Sequence, residues 1–189
     1  LLFNHNISWF LSFKNSIRLT FVLTFIINLF IIQISEEENM IIEFFQSNNP
    51  KHLYFLETLK DDQEIQNFLG NILESAYLNT NTLLFRDFLT QHYVGLVNFS
   101  DIQDSFIGPT ISIYYFIHPS MRQQGYGTLI VQKVVNFLFD QTSCKHIVMN
   151  ISKKNIPSQK VAKKCFFECA YEDDEDFIFL KSKERILKG

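Results

Sequence analysis

The chain has 189 residues, of which 47% are hydrophobic and 20% are charged, a composition too apolar for a disordered protein and long enough for one domain with a real core. Its formal net charge of −3 gives no general attraction to nucleic acid, so we expect no nucleic-acid partner. Three cysteines are too few for a disulfide scaffold, and we therefore expect a reducing, cytoplasmic location.

The amino-terminal residues 1–39 differ in character from the rest of the chain. Residues 19–34 form an almost uncharged apolar run with basic residues before it and three glutamates after it. A positive flank before an apolar stretch is typical of a signal anchor, although the run is shorter than the roughly 20 residues that a spanning helix needs. Translated upstream sequence, a membrane anchor and an integral helix of the fold are the open interpretations. We expect residues 1–39 to be a hydrophobic leader outside the core, the domain to occupy residues 40–189, and membrane contact only if residues 19–34 are a genuine anchor.

From Met40 onward the hydrophobic periodicity alternates between that of strands and that of helices. Short apolar runs predict strands at 40–45, 52–59, 83–88, 92–99, 110–117, 146–151 and 177–180. Helical spacing of apolar residues predicts helices at 65–77, 125–139 and 158–165. The run at 110–117 is apolar at nearly every position, as expected for a central strand that is buried on both faces. Since no repeat or linker interrupts this alternation, the pattern predicts one α/β domain.

A glycine-containing loop, Arg122 to Thr128 (RQQGYGT), lies between the predicted strand 110–117 and the helix that follows. Glycine lets backbone N–H groups come close to a ligand because it has no Cβ. The start of a helix adds unpaired N–H donors and a partial positive charge, so the segment predicts an anion site, most naturally for phosphates. We expect Arg122 and the amides of Gln124 to Gly127 to be the donors. A simple turn is the alternative.

Other phosphate-binding loops have features that this loop lacks. A P-loop requires Lys-Ser/Thr after its last glycine, and here Gly127 is followed by Thr128 and Leu129. A dinucleotide-binding loop or a kinase glycine loop needs a third glycine, where Ile130 stands. The form Arg-x-x-Gly-x-Gly, between a strand ending in His-Pro and a long helix, instead resembles the pyrophosphate-binding loop of the GNAT family of N-acetyltransferases.

A second segment, NIPSQKVAKKCFFE at residues 155–168, carries the same resemblance. It is similar to the family's N-x-x-S-x-x-V-A-x-K-x-G-F element, in the style of the ribosomal-protein-alanine and spermidine acetyltransferases. Phe166 replaces the glycine of that element, so the turn after the helix is expected to differ. Ala162 stands where many relatives carry a tyrosine that protonates the departing thiolate.

The resemblance implies both a fold and a reaction. The fold would be α/β (α+β), with a mixed, mostly antiparallel sheet flanked by helices and splayed between the strands at 110–117 and 146–151. The protein would be an acyltransferase that moves an acetyl group from acetyl-CoA to a primary amine by direct attack, without a metal. The implied acceptors are a protein N-terminus, a polyamine, an amino acid or a drug, and a homodimer is among the implied assemblies.

The resemblance also implies the residues of the site. The backbone of Phe116, Ile117 and His118 would run beside the pantetheine arm, Asn155 would bond to that arm, and Ser158 would be the general acid. The implied cofactor-binding set is Phe116, Ile117, His118, Arg122, Gln123, Gln124, Gly125, Tyr126, Gly127, Thr128, Asn155 and Ser158. The general base stays open among His118, Asp101, Glu168, Glu172 and a chain of water molecules.

Two further features have competing interpretations. Cys144, His146, Cys165 and Cys169 match no familiar zinc spacing and lie beside predicted core strands, so we expect buried thiols and no metal. The acidic run 172–176 would attract a cationic amine or form a solvated turn. Two alternatives to an active enzyme are a degenerate acyl-CoA-binding module, which Ala162 and the unassigned base favour, and a membrane-anchored protein, which depends on residues 19–34.

Overall fold

The structure is a computed structural model that describes residues 40–60, 62–63, 81–102 and 107–183. Its strands are β1 (Met40–Phe44), β2 (Thr82–Asp87), β3 (Tyr93–Ile102), β4 (Thr110–Ile117), β5 (His146–Ser152), β6 (Glu168–Glu172) and β7 (Asp176–Ser182). Its helices are α1 (Pro50–Thr58), α2 (Tyr126–Gln141) and α3 (Ile156–Lys164), and a short 3₁₀ turn spans Pro119–Met121. Among the helices in these ranges, none has the length and apolar character needed to cross a membrane.

The strands form a seven-stranded sheet in the order β1-β2-β3-β4-β5-β7-β6. Each neighbouring pair is antiparallel except β4 and β5, which are parallel. That parallel pairing runs only from Thr110 opposite His146 to Ser112 opposite Val148. Beyond it, β4 continues beside β3 as far as Ile117, and β5 continues beside β7 as far as Ser152. The mixed, mostly antiparallel sheet and its splay between β4 and β5 are therefore confirmed.

Helices cover both faces of the sheet. Leu83 and Phe85 of β2 belong to the large apolar cluster that also contains the buried stripe of α2. Leu84, between them, belongs to a smaller cluster with Phe55 and Leu56 of α1. Because successive side chains of a strand point to opposite faces, α1 and α2 lie on opposite sides of the sheet. The predicted α/β architecture is confirmed.

Residues 52–59 were predicted as a strand, and that prediction was wrong, because most of them belong to α1. The Asn49 side chain caps the helix by accepting a hydrogen bond from the Lys51 amide at 3.0 Å. Pro50 is the first helical residue, a position where its missing N–H is not needed. The Asn-Pro pair therefore begins a helix.

The other predicted elements agree with the structure, with two exceptions. The predicted helix 65–77 lies outside the described residues. Strand β6 was not predicted, because ECAYE lies at the edge of the sheet with every residue exposed and so lacks an apolar alternation. The remaining strands and helices begin and end within a few residues of the predicted ranges.

The turn after α3 keeps the geometry that glycine normally supplies. The Phe167 amide donates to the Ala162 carbonyl at 3.0 Å, and the Phe166 amide donates to the Lys163 carbonyl at 3.1 Å. These are the two hydrogen bonds of a Schellman motif, which needs a left-handed residue, and Phe166 has a φ of 61°. The expectation that this turn differs was wrong, since phenylalanine adopts the glycine conformation with its ring exposed to solvent.

Candidate active-site cleft

The separation of β4 from β5 opens a cleft of about 520 Å³, a volume in the range of ligand pockets. One wall is β4 and the other is the second half of β5. The loop before α2 and the exposed face of α3 complete the lining. The cleft thus joins both segments that resemble the GNAT family.

The hydrogen-bond register decides which backbone groups of β4 face this cleft. The His118 amide donates to the Val94 carbonyl of β3 at 2.9 Å. Hydrogen-bonded pairs alternate along an antiparallel ladder, so Phe116 also directs its backbone groups to β3. The intervening residues, Tyr115 and Ile117, therefore direct their N–H and C=O groups towards the side where β5 has separated.

The loop enters α2 through two left-handed residues, Gln123 with a φ of 62° and Gly125 with a φ of 88°. The first helical hydrogen bond runs from the Thr128 amide to the Gly125 carbonyl at 3.1 Å. The amides of Tyr126 and Gly127 precede it and lie at the positive end of a 16-residue helix. This arrangement has the geometry of an anion site.

The two glycines of the loop are required for different reasons. At Gly125 no heavy atom of the described chain, apart from Gly125 and its two chain neighbours, lies within 4 Å of the position a Cβ would take. The left-handed backbone is therefore what favours glycine. At Gly127 an added Cβ would lie 3.3 Å from Val161 Cγ2 and 3.5 Å from Tyr115 Cε2. Gly127 therefore allows the start of α2 to pack closely against α3 and β4.

Three basic residues, Arg122, Lys160 and Lys164, line the cleft. Arg122 donates from Nε to the Ile117 carbonyl at 3.2 Å, and its guanidinium lies 2.5 Å from Asp62 Oδ2. Lys160 and Lys164 are one turn apart on α3. These lysines were not predicted as site residues, although their spacing of four residues on a predicted helix was the available signal. Their charge favours an anionic ligand.

Asn155 and Ser158 lie at the start of α3 and line the cleft. The Asn155 side chain caps the helix by accepting from the Ser158 amide at 3.1 Å. The hydroxyl of Tyr115, on β4, donates to Ser158 Oγ at 3.1 Å. Tyr115 was not predicted as a site residue, because its contact with α3 is what distinguishes it from the other aromatic residues of its strand.

Most of the predicted cofactor residues line the cleft, namely Phe116, Ile117, Arg122, Gln123, Gly125, Gly127, Thr128, Asn155 and Ser158. The side chains of three others make different contacts. The His118 ring lies 2.7 Å from Ser120 Oγ, and Gln124 donates to the Ser120 carbonyl at 2.9 Å. Tyr126 donates to Asp87 at 3.3 Å, and burial together with that carboxylate raises the pKa of Tyr126.

The carboxylates considered as general bases lie elsewhere in the sheet. Asp101 is near the end of β3, opposite Ile111. Glu168 and Glu172 are on the edge strand β6, and Glu172 lies 3.7 Å from Lys153 Nζ. Of the described residues that line the cleft, none carries a carboxylate.

The cysteines are free thiols, with Cys144 and Cys165 buried and Cys169 exposed. Burial raises the pKa of Cys144 and raises that of Cys165 to about 11. Within the described ranges, no group of three or more His, Cys, Asp and Glu side chains has an arrangement that would hold a metal. The acidic run 172–176 spans the turn from the end of β6 to the start of β7, where Asp173 accepts from the Glu175 amide at 2.9 Å.

Comparisons with known proteins give the same family as the two motifs. The chain matches the acetyltransferase (GNAT) domain model over residues 28–168. No curated protein matches it in sequence. The fold is similar to that of the ribosomal-protein-S5-alanine acetyltransferase from Vibrio fischeri, with 13% identity, a TM-score of 0.61, and coverage of 80% of this chain and 97% of that one.

Two solved structures with bound ligands have the same fold. One is the N-acetyltransferase PseH from Campylobacter jejuni in complex with acetyl coenzyme A, with 13% identity, a TM-score of 0.56, and coverage of 77% of this chain and 99% of that one. The other is the spermidine N-acetyltransferase from Vibrio cholerae in complex with CoA and spermine, with 11% identity, a TM-score of 0.57, and coverage of 76% and 95%. Because the domain model matches most of the residues and includes both motif segments, the chain belongs to the GNAT family of acetyltransferases.

Proposed function

We propose that this protein transfers the acetyl group of acetyl-CoA to a primary amine by direct attack of the neutral amine on the thioester. The observation that carries the proposal is the cleft between β4 and β5, which has the loop before α2 at one end and the start of α3 beside it. A splayed sheet alone would admit many ligands. The unbonded amides at the start of α2 add the preference for phosphate.

The pyrophosphate would be held by Arg122 and by the backbone amides of residues 123–127. Gly125 fits this role because its open surroundings leave room for a phosphate to approach the backbone. The side chains of Gln124 and Tyr126 bond elsewhere, so those residues would contribute only their amides. Thr128 follows in the first turn of the helix.

The pantetheine arm would lie along β4. Ile117 directs its backbone towards the cleft, whereas Phe116 and His118 are bonded to β3 and would serve through their side chains or their position. Asn155 would have to share its side chain between the arm and the Ser158 amide that it caps. An N–H group of β4 that faces the cleft would stabilise the oxyanion that forms during attack.

Proton transfers would use Ser158 as the donor to the leaving thiolate and water as the acceptor from the amine. Water is favoured because the described cleft lining includes no carboxylate. His118 stays the candidate for a base supplied by a side chain. It directly follows Ile117, the last residue of β4, which lines the cleft.

Polyamines and protein N-termini are the two acceptor classes that the names of the structurally similar proteins support. One relative is a spermidine acetyltransferase, and another is a ribosomal-protein-alanine acetyltransferase. Amino acids and aminoglycoside drugs complete the panel that should be screened. The test is release of free CoA from acetyl-CoA in the presence of each amine. Amine-dependent release would support the proposal, and acetyl-CoA binding without release across the panel would favour a degenerate acyl-CoA-binding module.

The location, boundaries and assembly are separate proposals. Three free thiols support a cytoplasmic location. We place the catalytic domain at residues 40–189, with residues 1–39 as a leader. Fractionation of chains that start at Leu1 and at Met40 tests the anchor, because only the longer chain would then enter the membrane fraction. Sedimentation of the shorter chain tests for a homodimer.

A further inference from the structure

We propose that Tyr115 and Ser158 form a proton relay to the leaving thiolate. Ser158 gives its proton to the thiolate and takes a proton from the phenol of Tyr115. The inference rests on the proposed function. Its structural basis is the hydrogen bond of 3.1 Å from the Tyr115 hydroxyl to Ser158 Oγ, which joins β4 to α3 across the cleft. Both residues line the cleft and both are half-buried.

Ser158 alone is a poor acid for this step. A serine hydroxyl that protonates a thiolate would itself become an alkoxide, a far stronger base than the thiolate it replaces. The ordinary pKa of a thiol is about 8.5 and that of a phenol about 10, so a tyrosine is much better matched to the task. Serine becomes effective only if it receives a proton as it gives one away.

The direction of the hydrogen bond suits such a relay. A hydroxyl has one proton to donate and two lone pairs to accept. Because Ser158 Oγ accepts from Tyr115, its own proton is available to a group in the cleft. The tyrosine ring is held in place by packing, since it belongs to the margin of the large apolar cluster and lies beside Gly127.

The usual position for an acid on α3 offers no alternative. Ala162 is fully buried, with 0% exposure, and has no proton to give. Its neighbour Val161 is the residue that lines the cleft. Tyr115 would therefore provide from β4 the phenol that α3 lacks.

When the bond between the acetyl carbon and sulfur breaks, its electron pair goes to sulfur. The thiolate takes the Ser158 proton, Ser158 takes the Tyr115 proton, and water in the open cleft reprotonates the phenolate. The amine nitrogen gives its extra proton to water. The sum is amine plus acetyl-CoA giving N-acetylamine plus CoA.

The test compares Tyr115→Phe, Ser158→Ala and the double variant with the wild type. Tyr171→Phe, on the exposed edge strand, is the matched control for loss of a tyrosine hydroxyl. For Tyr115→Phe and Ser158→Ala we expect kcat to fall about 100-fold, with acetyl-CoA affinity within about twofold of the wild type. The double variant should be no slower than the slower single variant, because the two hydroxyls act as a unit.

The pH profile separates proton donation from simple positioning. If the phenol of Tyr115 donates the proton, kcat of the wild type should fall at alkaline pH, and this limb should be absent from Tyr115→Phe. An active wild type with an unchanged kcat in Tyr115→Phe, or with the alkaline limb retained in that variant, would overturn the relay and leave the proposed function intact. A wild type that binds acetyl-CoA but acetylates no amine would overturn both.

Discussion

At the scale of single residues, Phe166 occupies a backbone conformation that strongly favours glycine. A left-handed conformation costs a residue with a side chain roughly 1–2 kcal/mol, and glycine loses roughly 0.5–1 kcal/mol more conformational freedom than alanine on folding. We therefore expect Phe166→Gly to raise the free energy of unfolding by about 1 kcal/mol. Chemical denaturation measures this change.

Lys163→Gly is the matched control for this substitution, because Lys163 is an exposed residue with helical backbone in the same helix. There glycine should lower the free energy of unfolding by about 1 kcal/mol. A loss of stability in Phe166→Gly as well would show that contacts of the phenylalanine ring, such as the one with Lys181 Nζ at 5.2 Å, outweigh the backbone strain.

The glycines of the loop differ in what a side chain would disturb. Gly125→Val and Gly127→Val should each weaken acetyl-CoA binding at least tenfold, about 1.4 kcal/mol, measured by calorimetry. Gly108→Val is a control for strain, because Gly108 also has a positive φ, of 94°, but lies outside the cleft lining. It should lower stability as Gly125→Val does and leave affinity unchanged. Full affinity in both folded loop variants would show that the loop is only a turn.

Motif residues could be predicted from the sequence because their spacing along the chain is itself the signal. Gly125, Gly127, Asn155 and Ser158 were identified in this way, and all four line the cleft. Tyr115 could not be, since its significance depends on a hydrogen bond to a residue 43 positions away. Aromatic residues in an apolar strand look alike until the neighbouring helix is placed.

At the scale of elements, the carboxylate of Glu43 ties α1 to three strands. It accepts hydrogen bonds from His52 Nε2 at 3.1 Å, from Tyr93 Oη at 2.8 Å and from Arg86 Nε at 2.8 Å. His52 lies on α1, and Glu43, Arg86 and Tyr93 lie on β1, β2 and β3. The Gln46 amide donates to His52 Nδ1 at 2.9 Å, so the His52 proton resides on Nε2 and points to Glu43.

This network makes stability depend on pH in the acid range. Burial alone would raise the pKa of Glu43, but the hydrogen bonds from His52, Arg86 and Tyr93 outweigh it and lower the pKa to about 2. A lowered pKa stabilises the fold above the unfolded value of 4.5, and this contribution is lost as the pH falls towards 2. Glu43→Gln should lower the free energy of unfolding at neutral pH by about 2–3 kcal/mol.

The same variant should also flatten the stability profile between pH 4.5 and pH 2, measured by denaturation at a series of pH values. Glu57→Gln, an exposed change on α1, is the control and should leave the profile unchanged. An equally steep acid profile in Glu43→Gln would place the titrating carboxylate elsewhere.

Elements with a regular apolar pattern could be predicted, and elements set by local capping or by an edge position could not. Strand β4 and helix α2 have long apolar patterns and were predicted closely. In α1, HLYFLETL has an apolar content that suits either structure, and the cap at Asn49 decides for helix. Among the described strands β6 pairs with β7 alone, and each of its residues is exposed, so its sequence carries no strand pattern.

At the scale of the whole molecule the net charge is −3, yet the described residues that line the cleft include three basic side chains and no carboxylate. We expect acetyl-CoA affinity to fall as salt is raised, because Lys160 and Lys164 present exposed charges to an anionic ligand. Lys160→Gln with Lys164→Gln should weaken binding several-fold and reduce this salt dependence, measured by calorimetry at two ionic strengths. Lys163→Gln, on the same helix but outside the cleft lining, is the control, and an effect as large there would indicate only a change in overall charge.

The most direct test of an acetyl-CoA site between β4 and β5 is hydrogen exchange measured by mass spectrometry with and without millimolar acetyl-CoA. Binding there should slow exchange in residues 113–128 and 149–161, which include the glycine loop, the first half of the segment 155–168 and the two walls of the cleft. Strands β1 and β6, which lie at the two edges of the sheet, should not change. Unchanged exchange throughout the chain, or protection confined to residues outside the cleft, would contradict the assignment of this site.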